Sequence, residues 1–366
     1  MALEKIKKII FSGGGTGGSV TPLLTVAEEL LKEGVPLDLV FVGTTFGPEK
    51  ELLASFSSSS PIKFIPLPSG KWRRYFSIYN LTDIFKIIVA FLKSFAILRQ
   101  EKPDLIVSAG SFVSVPLVFA ASLKKIPVLI HQQDIRPGLA NKLMAPWARV
   151  ITVTFEKSLI DYGPKAVLIG NPVKDLSNYQ SDKATTKERY SLNDSLPVVL
   201  ALGGGTGSRA LNELISEALL ELTGFCQLVH ITGQGKLAGA KPIANYQPFE
   251  FLVNKETLAL MAASDLVVSR AGLGVLTELA ALNKPAILIP LPDSHQEDNT
   301  DLFARAKAAL VFKQSELTPQ KLTEAIKQVL DDEELKTGLS QNIGKIIKKQ
   351  AAANFAGIIW EILNNH

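Results

Sequence analysis

The feature that most constrains this 366-residue chain is a local pattern that occurs twice. Residues 5–18 read KIKKIIFSGGGTGG and residues 197–208 read PVVLALGGGTGS. Each is a short apolar run, rich in β-branched residues, that ends in a glycine cluster. Behind each cluster apolar residues fall at helical spacing: Val20, Leu23, Leu24, Ala27, Leu30 and Leu31 in the first, Leu211, Leu214, Ile215, Ala218 and Leu219 in the second. Strand, glycine turn and helix form the opening unit of a doubly wound parallel sheet. Gly13 and Gly203 each open a domain-sized half, so the pattern predicts two Rossmann-like α/β domains.

Further apolar runs continue both halves. The first has 37–43, 104–110, 127–133 and 150–154; the second has 225–233, 265–272 and 286–292. They are apolar nearly throughout, as parallel strands covered on both faces must be. Asn171-Pro172 breaks regular structure and marks a linker, and a basic helix over 341–364 closes the chain.

A glycine loop that leads into a helix presents unpaired N–H groups and a partial positive charge, so both loops are candidate anion sites. Neither reads as a P-loop. Gly13 to Gly18 satisfies the dinucleotide spacing, but the end of the second strand, FVGTT at 41–45, offers no acid to hold a ribose. The net charge of +4 is too small for a concentrated nucleic-acid face. The single cysteine, Cys226, excludes an internal disulfide framework. No Asp-x-Asp pair ends a strand and no His/Cys/carboxylate cluster has ligand spacing, so neither metal nor cofactor is called for. No apolar run reaches about 20 residues, which implies a cytoplasmic protein with no membrane span.

Seven segments carry a resemblance. GGGTGGSVTP (13–22), SGKWRRYFS (69–77), GSFVSVP (110–116), HQQDIRPGLAN (131–141), GNPVK (170–174), SRAGLGVLTELAALNKPAILIPLP (269–292) and HQEDNT (295–300) occur in the order found in the MurG family of glycosyltransferases, over nearly the whole chain. The resemblance implies a GT-B-type pair of domains facing a cleft. Residues 1–172, completed by a helix at about 350–366, would form the acceptor and membrane-side domain. Residues 173–349 would bind the donor. It implies inverting transfer of N-acetylglucosamine from UDP-N-acetylglucosamine to the undecaprenyl-linked muramyl-pentapeptide (lipid I), giving lipid II and UDP.

The resemblance also implies residue roles. Donor contacts would come from Thr16, Gly17, Gly18, Lys174, Gly205, Thr206, Ser208, Leu252, Arg270, Gly272, Glu278, Gln296 and Asn299. Glu278 would take both ribose hydroxyls, Gln296 and Asn299 the sugar hydroxyls, and the segment at Phe251 and Leu252 the uracil edge. Arg270 is open to a structural role or to one facing the diphosphate. Acceptor contacts would come from Gly14, Gly15, Gln132 and Asn141. Five positions depart from the family, one of them Gln132 in place of a glutamate. Gly205 and Thr206 replace serine and glutamine, Lys174 replaces arginine, and Ser19 replaces a histidine that is a candidate general base. Serine does not titrate near neutral pH. Either His131 or Asp134 supplies the base, or the histidine is not the base in this fold, or turnover is altered.

Residues 71–99 interleave aromatic, aliphatic and basic side chains. Trp72, Arg73, Arg74, Tyr75 and Phe76 read as an edge that touches lipid on the inner face of the cell membrane, with the following helix mostly core. The competing functions are a transferase with another lipid acceptor, a nucleotide-sugar epimerase, and a UDP-sugar-binding protein without turnover.

Overall fold

The computed structural model describes residues 6–54, 56, 62–68, 78–205, 207–236 and 243–365, aside from the side chains of 78–85, 180 and 181. The chain divides into two compact units, Met1–Lys174 with Lys348–His366, and Asp175–Ile347. The sequence-based boundaries lie at 172/173 and 349/350.

Unit 1 is built on seven strands: β1 Lys7–Ser12, β2 Leu37–Thr44, β3 Lys63–Leu67, β4 Leu105–Ser108, β5 Val128–Gln132, β6 Val150–Val153 and β7 Ala166–Leu168. They are parallel and ordered β3-β2-β1-β4-β5-β6-β7. Phe11 of β1 pairs with Phe41 of β2 on one side and Val107 of β4 on the other. Both faces of this centre are covered. Ile9 and Phe11 pack with Leu23, Ala27 and Leu30 of the helix Thr21–Lys32 and with Phe355 and Ile359 of the closing helix Ala351–Asn364. Ile10, Val40 and Ile106 pack with Leu117 and Val118 of the helix Ser114–Leu123. Each of these valine, leucine, isoleucine and phenylalanine side chains contributes roughly 1.5–3 kcal/mol by leaving water.

Unit 2 has six parallel strands: β8 Val198–Leu202, β9 Gln227–Ile231, β10 Tyr246–Phe249, β11 Leu266–Ser269, β12 Ala286–Leu288 and β13 Leu310–Val311. Their order is β10-β9-β8-β11-β12-β13. Strand order reverses between β1 and β4 in the first sheet and between β8 and β11 in the second. Ligands of open α/β sheets bind outside the carboxyl ends of strands at such points.

The closing segment differs from the single helix expected over 341–364. It is two helices, Glu333–Ile346 and Ala351–Asn364, with Gln350 at φ 61° between them. The break falls where the chain leaves unit 2 for unit 1.

Candidate active site

In unit 2 the helix Leu273–Leu282 starts directly behind β11, at the switch point. Its N-cap is Gly272, which carries no side chain to close the helix end. A Cβ added at Gly272 or Gly274 would meet nothing within 4 Å, so the first turn is open to a close approach. Unpaired amides and the helix dipole favour an anion here.

The neighbouring loop behind β8 supplies an oriented hydroxyl. Ser208 Oγ accepts from Leu211 N at 3.3 Å, capping the helix Arg209–Leu222, and from Arg270 Nε at 2.9 Å. With both lone pairs engaged, its one proton is left to donate. Arg270 is a brace. Its Nη1 donates to the carbonyls of Ile289 and Pro290, at 3.1 Å each, and its Nη2 donates to Gln314. The guanidinium therefore ties three loops together behind Ser208. Gln296 acts similarly through Oε1, which accepts from Ala271 N at 3.2 Å and Leu291 N at 3.0 Å.

Glu278 lies on the helix Leu273–Leu282, and Asn254 Nδ2 donates to its Oε1 at 3.4 Å. Asn254, two residues past the Phe251–Leu252 segment expected to read the base, thus contacts the acid expected to hold the ribose. Burial pushes the Glu278 carboxyl up to about 7, against the opposing pull of the Asn254 bond. Thr206 lies outside the described residues, and Gly205 is exposed at the loop tip. Asn299 is fully buried in the helix His295–Arg305, which takes it out of reach of a sugar hydroxyl in this conformation.

In unit 1 the loop behind β1 is closed from within. Ser19 Oγ accepts from Gly14 N at 2.9 Å, and Glu49 Oε1 accepts from Gly15 N at 2.7 Å. Gly14 and Gly15, expected to offer amides to the acceptor, have them bound to protein oxygens. Thr16 and Gly18 are exposed at the tip, with Gly17 between them, and Gly18 O accepts from Gln133 Nε2 at 2.8 Å.

The stretch behind β5 corrects several expectations. His131 is fully buried, with Nδ1 3.0 Å from Thr152 Oγ1 and Nε2 3.1 Å from Asn171 Oδ1, and its ring lies against Phe355. Burial holds it down at about 4, so it is a neutral imidazole with both nitrogens facing protein. That geometry does not suit a general base. Gln132 is also internal. Its Nε2 donates to the carbonyls of Asp134 and Arg136, and its Oε1 accepts from Asn141 Nδ2 and Tyr162 Oη. Asn141 is buried too, with Oδ1 unpartnered among the described residues and facing the Gly110 turn. Asp134 is partly exposed at the end of this loop. Lys174 belongs to unit 1, where its Nζ donates to Glu28.

Trp72, Arg73, Arg74, Tyr75 and Phe76 lie outside the described residues. The helix after them, Ile78–Glu101, is not mostly core. Ala90, Ser94 and Leu98 are buried, whereas Ile88 and Leu92 are 51% and 63% exposed. Edge-on ring contacts run from Phe91 to Phe119 and from Phe119 to Trp147, which joins this helix to Leu123 and Leu143 in one apolar face. Lys86, Lys93, Lys124 and Lys142 are exposed on the same elements. Among the described residues no helix is long and apolar enough to cross a membrane.

Sequence reasoning missed Glu49, Gln133, Asn254 and Gln314. Only Glu49 had a visible signal, the close spacing of Gly43 and Gly47 ahead of it.

Residues 9–153 match the glycosyltransferase family 28 N-terminal domain and residues 198–355 match the family 28 C-terminal domain. A UDP-N-acetylglucosamine--N-acetylmuramyl-(pentapeptide) pyrophosphoryl-undecaprenol N-acetylglucosamine transferase of Clostridium botulinum is 38% identical over 333 residues, 89% of this chain and 92% of the relative. The transferase of the same name from Clostridium perfringens is 36% identical over 360 residues, 94% of this chain and 98% of the relative. Acinetobacter baumannii MurG has the same fold, with a TM-score of 0.72 at 24% identity, over 97% of this chain and 99% of that one. The fold alone is shared with the UDP co-structure of S. aureus MnaA, with a TM-score of 0.72 at 17% identity, over 98% of this chain and 97% of that one. The chain therefore belongs to glycosyltransferase family 28, among the transferases of the MurG family.

Proposed function

We propose that this protein transfers N-acetylglucosamine from UDP-N-acetylglucosamine to undecaprenyl-pyrophosphoryl-N-acetylmuramyl-pentapeptide, with inversion at the anomeric carbon, giving lipid II and UDP for peptidoglycan synthesis. The observation that carries the reading is the open helix start at Gly272, flanked by Ser208 and Glu278, in a family 28 chain. The first-turn amides of the helix Leu273–Leu282 hold the diphosphate, the Ser208 hydroxyl donates to it, and Glu278 accepts from the ribose hydroxyls. Phe251 and Leu252 border the uracil.

In the reaction an acceptor hydroxyl attacks the anomeric carbon from the face opposite UDP. The carbon–oxygen bond to UDP breaks, and its electron pair leaves on the diphosphate. Preorganised amides stabilise that developing charge without reorganising. The hydroxyl proton goes to a base on the acceptor side, and Asp134, partly exposed behind β5, is the carboxylate we assign to it. A general base contributes typically about 10²–10⁴-fold.

The acceptor's polyprenyl chain stays in the bilayer, so the enzyme must reach the membrane surface. The apolar face around Leu92, Phe119, Leu123 and Trp147, rimmed by lysines, suits insertion into an anionic leaflet. We place the protein on the inner face of the membrane as a peripheral protein.

The test is incubation with radiolabelled UDP-N-acetylglucosamine and lipid I in phosphatidylglycerol vesicles. Labelled lipid II is expected. UDP binding without transfer to lipid would refute the catalytic reading. Flotation with the same vesicles is expected to fall at least about tenfold in Leu92→Glu/Leu123→Glu. Unchanged flotation would remove the docking face.

A further inference from the structure

Glu49 is the first residue of the short helix Glu49–Ala54 behind β2, and it is fully buried. Its Oε1 accepts three hydrogen bonds, from Gly15 N at 2.7 Å, Thr44 Oγ1 at 2.8 Å and Thr44 N at 3.2 Å. Its Oε2 has no partner among the described residues. A buried polar atom left in this state is costly and calls for a reason.

Three glycines shape the space around this carboxyl. A Cβ at Gly14 would fall 1.9 Å from Oε1, one at Gly47 would fall 2.0 Å from Oε2, and one at Gly43 would fall 3.0 Å from Cγ. Gly14 and Gly47 come from the loops behind two adjacent strands, β1 and β2, and Gly43 lies near the end of β2 itself. At these three positions the absence of a side chain is thus explained by one acid. The same acid occupies the Gly15 amide, while Ser19 occupies that of Gly14. What remains for a ligand is the exposed tip from Thr16 to Gly18.

We propose that Glu49 is a positioning residue of the transfer reaction. It latches the loop Gly13–Ser19 to the Thr44–Pro48 turn and so fixes the tip that meets the acceptor. Glu49 touches no reacting atom. The inference rests on the acceptor-side reading of unit 1, and the donor-side measurement below separates a failure of one from a failure of the other.

The experiment compares Glu49→Ala, Glu49→Gln and Gly14→Ala in the full chain, with lipid I in phosphatidylglycerol vesicles as acceptor. Small misplacements at a reacting centre cost up to about 10²-fold. Glu49→Ala is therefore expected to lower kcat/KM for lipid I by roughly 30- to 100-fold while the Kd for UDP stays within about twofold. Glu49→Gln keeps an acceptor oxygen for Gly15 N and Thr44 and is expected to recover activity to within about fivefold of the parent. Gly14→Ala leaves the acid in the chain but drives a methyl into it, and is expected to resemble Glu49→Ala. Full activity in Glu49→Ala would overturn the proposal. A parallel loss of UDP affinity would also overturn it, because the latch would then serve the donor or the fold as a whole. Glu49→Gln as inactive as Glu49→Ala would refute a positional role and point to the acid's charge or proton.

Discussion

The two glycine loops begin from nearly the same words, GGGTGG and GGGTGS, and end in different chemical states. In unit 1 the loop amides of Gly14 and Gly15 are held by Ser19 and Glu49, so the protein supplies its own oxygen ligands. In unit 2 the loop behind β8 caps its own helix through Ser208. The uncapped start lies next door, at Gly272. A glycine-rich turn therefore does not identify an anion site by itself. What decides is whether an internal oxygen reaches the amides first, and that depends on residues from other strands.

The sharpest way to break this comparison is to give the open helix start the kind of acid that closes the unit 1 loop. Gly272→Asp has room for its side chain, and aspartate is a favourable N-cap. We expect unchanged or slightly higher thermal stability together with a loss of UDP affinity of roughly 100-fold, about 2.7 kcal/mol, by calorimetry. Gly272→Asn, which caps without charge, should lose much less. Equal affinity in Gly272→Asp would show that the diphosphate sits elsewhere.

Glu278→Ala removes two acceptor oxygens from the ribose and should weaken UDP by about 2 kcal/mol, roughly 30-fold. An unchanged Kd would detach the ribose from this helix.

The same residue carries a pH effect on stability. Its carboxyl is raised from 4.5 to about 7 by burial, so the folded state binds the proton more tightly than the unfolded chain. Its favourable contribution is fully present below pH 4.5 and is lost as pH rises through about 7. Glu278 keeps part of its surface in water, which screens the carboxylate and leaves a pH-dependent contribution of about 1–2 kcal/mol. Glu278→Gln should thus be more stable than the parent by about that amount at pH 8 and equal to it at pH 4, in urea melts. A pH-independent difference would contradict the assigned burial.

The smallest effect expected is that of Ser208→Ala. It removes a helix cap worth about 1 kcal/mol and one donor to the diphosphate, so stability and UDP affinity should fall together, the latter by about fivefold. A loss of stability alone would leave Ser208 as a cap only.

The legible part of the fold was its centre. Seven further strand runs, besides those leading into the glycine loops, were visible as unbroken apolar stretches, because central parallel strands are buried on both faces. The four strands that left no such mark, β3, β7, β10 and β13, are the four sheet edges. They are short, two of them contain proline (Pro66 and Pro248), and much of their surface is only half-buried. The site divided in a similar way. Residues that belong to a contiguous motif, such as Gly272 and Glu278, could be named from the resemblance to the family. Residues whose role depends on a partner from a distant strand could not. His131, Gln132 and Asn299 read as ligand contacts because they are polar and sit in motif stretches, yet burial turns them inward. Glu49 went unread because its partner amide lies in the loop behind another strand.

The central claim is that the diphosphate of UDP is held by the first-turn amides of the helix Leu273–Leu282 and not by the unit 1 glycine loop. A titration of ¹⁵N-labelled protein with UDP, read by amide NMR, addresses it directly. The account predicts large shifts for Leu273, Gly274 and Val275, with Gly14 and Gly15 unmoved. Shifts centred on Gly14 and Gly15, with that helix start silent, would contradict it.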